Sequence, residues 1–153
     1  MSDSDIRVLK QDLSVKEDSV IPDRIIEQGT LTTDGARVSV EVRLPWYRAL
    51  PASCIGRATL TVDGVEVPAD SLRWGMNGQT FAFDELVPNT EEWWFPTDSA
   101  VLSGDLELAG DVEHQVEVGL VLYIPYIVIG ENEVLHIEER DAKTMTARKA
   151  VAA

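Results

Sequence analysis

Val38, Val40, Val42 and Leu44 alternate with Arg37, Ser39, Glu41 and Arg43. A period of two turns one face of an extended chain to a core and the other to water. The pattern returns over Val116 to Tyr126, written Val-Glu-Val-Gly-Leu-Val-Leu-Tyr-Ile-Pro-Tyr. Between these strands stand two Asx-Gly pairs, Asp63-Gly64 and Asn77-Gly78, each flanked by alternating residues. Such pairs tolerate the positive φ that a tight hairpin turn requires. Ala58 to Val62 and Val65 to Val67 therefore form one hairpin, and Leu72 to Met76 and Thr80 to Phe83 a second. Thr33-Asp34-Gly35 joins a first strand, within Asp23 to Thr32, to the Val38 strand. With strands at this spacing and no convincing amphipathic helix, the chain reads as an all-β, single-domain antiparallel sandwich.

The ends of the two long alternating strands are unusual. Pro45 has no N–H for a ladder and should stop the first of them. Trp46, Tyr47 and Arg48 then lie between Pro45 and Pro51. Two readings stand: the rings cap the end of the core, or they form a recognition loop, since Trp, Tyr and Arg are the side chains most enriched at interface hot spots. The second strand likewise runs through Tyr123 into Pro125 and Tyr126, where it should stop. Two such endings can share one end of a sandwich.

The remaining segments divide simply. Residues 1–22 are polar and read as an N-terminal arm, residues 23–138 as the sandwich domain and 139–153 as a polar C-terminal tail. Asp84 to Asp98 holds Trp93, Trp94 and Phe95 without a clean period and reads as a short strand flanked by loops. Val134 to Ile137 reads as a last short strand. From Glu138 the chain turns polar and Ala-rich, a frayed helix or a disordered tail.

Composition closes off several functions. The chain carries 13 Lys and Arg against 27 Asp and Glu, a net charge of -14. That field repels phosphate backbones, so nucleic acid is not an expected partner. No apolar run approaches the roughly 18 residues of a membrane helix. The acidic start lacks the basic and apolar regions of a secretion signal, and Cys54 is the single cysteine. A cytoplasmic location is the expectation.

Chemistry is sparse. His114 and His136 are the only histidines. If no bulge intervenes, His114 is in phase with Val112, Val116, Val118 and Leu120, which would point it inward as a hydrogen-bonded structural residue rather than a ligand. Cys54 reads as a small buried hydrophobe. Asp84, Glu85, Glu91 and Glu92 are carboxylates without a visible pairing. We assign no catalytic and no metal-binding residue to this chain.

Leu44-Pro45-Trp46-Tyr47-Arg48-Ala49-Leu50-Pro51, Ile55, the Val62-Asp63-Gly64 hairpin and Gly78-Gln79-Thr80-Phe81 together resemble the small β subunits of bacterial C-glycoside deglycosidases. The resemblance runs from Ile25 to Ile137 and takes in Trp93-Trp94-Phe95 and the Val116 to Tyr126 strand. It implies a sandwich that packs on a larger, TIM-barrel-like α subunit. That partner would carry a divalent metal, commonly manganese, with the His and carboxylate acid–base groups. The substrate so implied is a 3-keto C-glucoside of a flavonoid-type aglycone, whose carbon–carbon bond is broken in a lyase-type step. The resemblance places Pro45, Trp46, Tyr47, Arg48, Pro51, Tyr123, Pro125 and Tyr126 at the substrate rim or subunit interface. Trp93, Trp94 and Phe95 are interface or core, unranked. A stand-alone carbohydrate-binding module and a purely structural assembly subunit are the alternatives.

Overall fold

A computed structural model describes residues 25–150; the 1–22 arm lies outside them. Among these described residues, twelve strands form two main sheets and one short pair. The strands are β1 (Thr32–Thr33), β2 (Arg37–Arg43), β3 (Leu50–Pro51), β4 (Ile55–Val62), β5 (Val65–Glu66) and β6 (Arg73–Met76), followed by β7 (Gln79–Ala82), β8 (Trp93–Trp94), β9 (Ser99–Asp105), β10 (Glu113–Gly130), β11 (Glu133–Thr146) and β12 (Arg148–Lys149). One sheet has the order β12-β1-β2-β9-β6-β7, the other β11-β10-β4-β5, and β3 pairs with β8. All pairings are antiparallel except β1 with β12. No helix among the described residues is long and apolar enough to cross a membrane.

The core lies between the two sheets. Val38, Val40 and Val42 of β2 and Trp74 and Met76 of β6 are buried, as are Leu60 and Val62 of β4 and Val116, Val118, Leu120, Leu122 and Ile124 of β10. The alternation read from the sequence is thus the division between core and solvent. Both Asx-Gly turns take their expected form, with Asp63 at φ 51°, Gly64 at φ 80°, Asn77 at φ 55° and Gly78 at φ 78°. The two hairpins nevertheless belong to different sheets. Between them the chain crosses through a single 3-10 turn, Ala69–Ser71. Ser71 holds the crossing: its Oγ donates to Pro68 O and accepts the Asp105 N–H.

Three expectations are corrected, and one strand appears that the sequence did not mark. The first strand, expected within Asp23 to Thr32, is reduced to an isolated bridge from Ile26 to Val42 and the short β1. Gly29, at φ 79°, turns the chain between them. The unmarked strand, Ser99–Asp105, is lodged between β2 and β6. Its inward residues, Ala100, Leu102 and Gly104, are mostly small. A Cβ on Gly104 would lie 2.3 Å from Val67 Cγ1, so the opposite sheet fills the space a larger residue would need.

Second, Pro125 does not end its strand, because β10 continues to Gly130. Pro125 falls where the ladder steps from Ile124–Leu135 to Val128–Val134, a register break at which a missing N–H leaves no pair unmade. Third, the residues expected to form a polar tail are strand: β11 runs unbroken across residue 138, and β12 joins the other sheet. Period two holds along β11, but its inward side carries Glu139, Asp141 and Lys143 beside Ile137 and Met145. Asp141 pairs with Lys143 Nζ at 3.5 Å and accepts the backbone N–H groups of Ile25 and Ile26. Charges that are paired and hydrogen-bonded can face inward, and here they conceal the strand from a hydropathy reading.

Candidate functional site

Strand β2 ends at Arg43, Leu44 remains buried, and Pro45 through Arg48 bend out from the end of the sandwich. Within that bend the rings are ordered by contacts of their own. Trp46 is half-buried, packed against the core, and its Nε1 donates to the Tyr126 hydroxyl. The Trp46 and Tyr47 rings lie 5.0 Å apart at 43°. The Arg48 guanidinium sits 4.8 Å from the centre of the Tyr126 ring, a cation–π arrangement. Tyr47 projects outward and is 70% exposed.

The far side of the loop is anchored by hydrogen bonds. Leu50 pairs with Trp94 and Pro51 with Trp93. Ala52 N donates to Glu92 O and Ser53 N to Asn89 O, both at 2.8 Å. Because β3 and β8 are paired strands, the three aromatics of the second segment alternate. Trp94 is fully buried, edge-on to Trp74 at 4.9 Å and 80°, and its Nε1 donates to Asp98 O at 3.0 Å. Trp93 and Phe95 face solvent. Trp94 therefore belongs to the core, while its two neighbours belong to the surface.

The two Pro-aromatic segments do meet, since Tyr126 touches both Trp46 and Arg48. Tyr123 stands apart, on the outer face of the four-stranded sheet. It lies so closely over Gly56 that a Cβ there would be 2.5 Å from its ring, and it neighbours His136 at 6.3 Å. Pro125 is exposed and Pro51 buried. Sequence reasoning missed Val128, an exposed apolar residue of the same strand. Reading Pro125 as a terminator had hidden it.

The other titratable candidates have structural roles. Cys54 is buried, and that burial raises its thiol pKa. His114 is buried with Nδ1 2.5 Å from Asp63 Oδ2 and Nε2 2.9 Å from Ala109 O. Both neighbours are acceptors, so only the doubly protonated ring, donating from each nitrogen, satisfies them. Burial opposes that charge, but the Asp63 and Ala109 hydrogen bonds outweigh it and the pKa rises. Asp63 is lowered in return, first by the His114 hydrogen bond.

A raised histidine pKa stabilises the fold fully below its unfolded value, about 6.5. The contribution disappears as pH climbs through the folded value. The depressed Asp63 contribution is lost in the opposite direction, as pH falls through its lowered pKa. The urea midpoint is accordingly expected to fall between pH 6 and pH 9, with a flatter profile in His114→Phe. Parallel profiles for the two proteins would contradict a charged His114.

Among the described residues no group of three or more His, Cys, Asp and Glu is placed to hold a metal ion. What the fold presents is a fixed aromatic and cationic end: a ring held by a hydrogen bond, a guanidinium held over a second ring, and a third ring projecting from a loop tied to a neighbouring strand pair. That arrangement defines a class of small antiparallel β-sandwich with aromatic and cationic side chains fixed at one end.

Comparison with known proteins gives the particular family. The family described as C-glycoside deglycosidase beta subunit matches residues 17–126. The C-glycoside deglycosidase beta subunit of Microbacterium trichothecenolyticum is 69% identical over 134 residues, covering 88% of this chain and 100% of that protein. The protein of the same name from Arthrobacter globiformis is 64% identical over 127 residues, covering 82% and 96%. The 3'-dehydrocarminate deglycosidase beta subunit of a Microbacterium species is 36% identical over 132 residues, covering 85% and 98%. The chain belongs to the C-glycoside deglycosidase beta subunit family.

Proposed function

We propose that this chain joins a larger, TIM-barrel-like α subunit to form an enzyme that cleaves the carbon–carbon glycosidic bond of 3-keto C-glucosides of flavonoid-type aglycones. Family membership supports the subunit role. The name of the 3'-dehydrocarminate relative puts a dehydro compound in that protein's reaction, in keeping with a keto sugar as substrate. A ketone acidifies the neighbouring C–H. Once a base removes that proton, the electron pair of the carbon–carbon bond can leave with the aglycone carbon, which is then protonated. The base, the acid and a divalent metal, manganese in our reading, belong to the α subunit. The single buried Cys54 suits work in the cytoplasm.

On this reading the present chain supplies shape. One observation carries the role: the Trp46, Tyr47, Arg48 and Tyr126 cluster is fixed at one end of the sandwich with Tyr47 outermost. Rings so held lose little entropy on stacking against a planar aglycone or against a partner's apolar rim. A second reading, in which the cluster only assembles the complex, draws on the fact that Trp46 and Arg48 already spend their polar groups on Tyr126.

The test is turnover of a 3-keto C-glucoside with added manganese, comparing the mixed subunits with each chain alone. Activity only in the mixture is expected. Equal activity from the α subunit alone would overturn the proposal.

A further inference from the structure

Strand β10 outruns its sheet. Its last pair with β4 is Leu122 to Ile55, whereas its ladder with β11 continues to Gly130 and Glu133. Residues Ile124–Gly130 and Glu133–Leu135 thus form a two-stranded ribbon that continues past the last pair with β4. Up to Ile124 every second residue of β10 is buried; beyond it none is. A ribbon of two strands is at best marginal in water. This one keeps apolar side chains all the same: Tyr126 is 42% exposed, Val128 is 70% exposed, and Ile127 and Leu135 are partly buried against the core.

The turn at its tip adds charge. Asn132, at φ 61°, reverses the chain between Glu131 and Glu133. Among the described residues no cation is paired with either glutamate. Tyr126 makes the ribbon continuous with the aromatic cluster through Trp46 and Arg48.

We propose that this ribbon is a second grip on the α subunit. The Tyr126 to Val128 segment enters an apolar furrow of the partner, and the Glu131–Glu133 tip meets Lys or Arg side chains on its rim. The inference rests on the subunit reading above. A second copy of this chain is the poorer occupant, because an acidic tip on a chain of net charge -14 repels its own kind.

The experiment titrates the labelled full chain with the α subunit, at low and at physiological salt, for wild type, Val128→Asp and the double variant Glu131→Lys/Glu133→Lys. Val128→Asp is expected to weaken the complex about tenfold or more with its thermal midpoint unchanged, since the side chain is exposed. The double variant is expected to slow association and to lose most of the wild type's salt dependence. Wild-type affinity in both variants would overturn the ribbon's role while leaving the subunit reading intact. A wild-type chain that dimerises alone, and no longer does so as Val128→Asp, would assign the ribbon to its own copy and overturn the proposal. Absence of any wild-type complex would overturn the subunit reading as well.

Discussion

Trp94→Ala is expected to lower the unfolding free energy of the isolated chain by about 3–5 kcal/mol, the cost of emptying a large aromatic site in a closed core. Trp94 has no solvent exposure, packs edge-on to Trp74, donates to Asp98 O and pairs across β3–β8 with Leu50. Removing it leaves a cavity and an unmade hydrogen bond at the pair that anchors the aromatic loop. Partner binding should therefore fail together with the fold. Trp94→Phe keeps a ring against Trp74 and costs less. Trp93→Ala, at a residue already 41% exposed, should stay near 1 kcal/mol or below. Urea denaturation followed by fluorescence separates the three. A Trp94→Ala protein as stable as wild type would place that side chain at an interface instead of in the core.

Tyr47→Ala is expected to act the other way, sparing the fold and damaging the assembly. At 70% exposure the ring contributes little to stability, so a change within about 0.5 kcal/mol is expected. As a rigid ring at the outermost point of the cluster it has the character of a hot-spot anchor, for which truncation typically costs about 2 kcal/mol or more, roughly 30-fold in affinity. Trp46→Ala mixes the two effects, because Trp46 also packs on the core and holds Tyr126. Tyr47 is therefore the cleaner probe. If the ring touches substrate as well as the partner, the saturated Tyr47→Ala complex should also lose turnover. A purely assembling loop would leave turnover intact once binding is saturated.

The sandwich could be read from the sequence wherever alternation was apolar. Val38 to Leu44 and Val116 to Ile124 bury the residues their pattern marks, and Asp63-Gly64 and Asn77-Gly78 adopt the positive φ their chemistry allows. Where small or charged residues fill the inward positions, the pattern disappears. Strand β9 turns Ala100 and Gly104 to the core, and β11 beyond Ile137 turns Glu139, Asp141 and Lys143 inward, so neither stretch looked like a strand. Hydropathy cannot tell a charge that is partnered by a distant segment from one that is solvated; Asp141 meets Ile25 and Ile26 only in the fold.

The site was legible in composition but not in geometry. Pro45, Trp46, Tyr47 and Arg48 stood out as residue types, and Tyr126 by its repeat of the Pro-aromatic ending. That Trp46 donates to Tyr126, that Trp94 turns inward while Trp93 turns out, and that β10 passes Pro125 all depend on pairings between distant segments.

The central claim is that the aromatic end is the working face of this subunit. Titrating a fixed amount of α subunit with wild-type and with Tyr47→Ala chain, and reading manganese-dependent turnover of a 3-keto C-glucoside at each point, tests it most directly. The account predicts a saturable rise with wild type and a curve displaced to about 30-fold higher concentration for Tyr47→Ala. Superimposable curves with equal plateaus would contradict it.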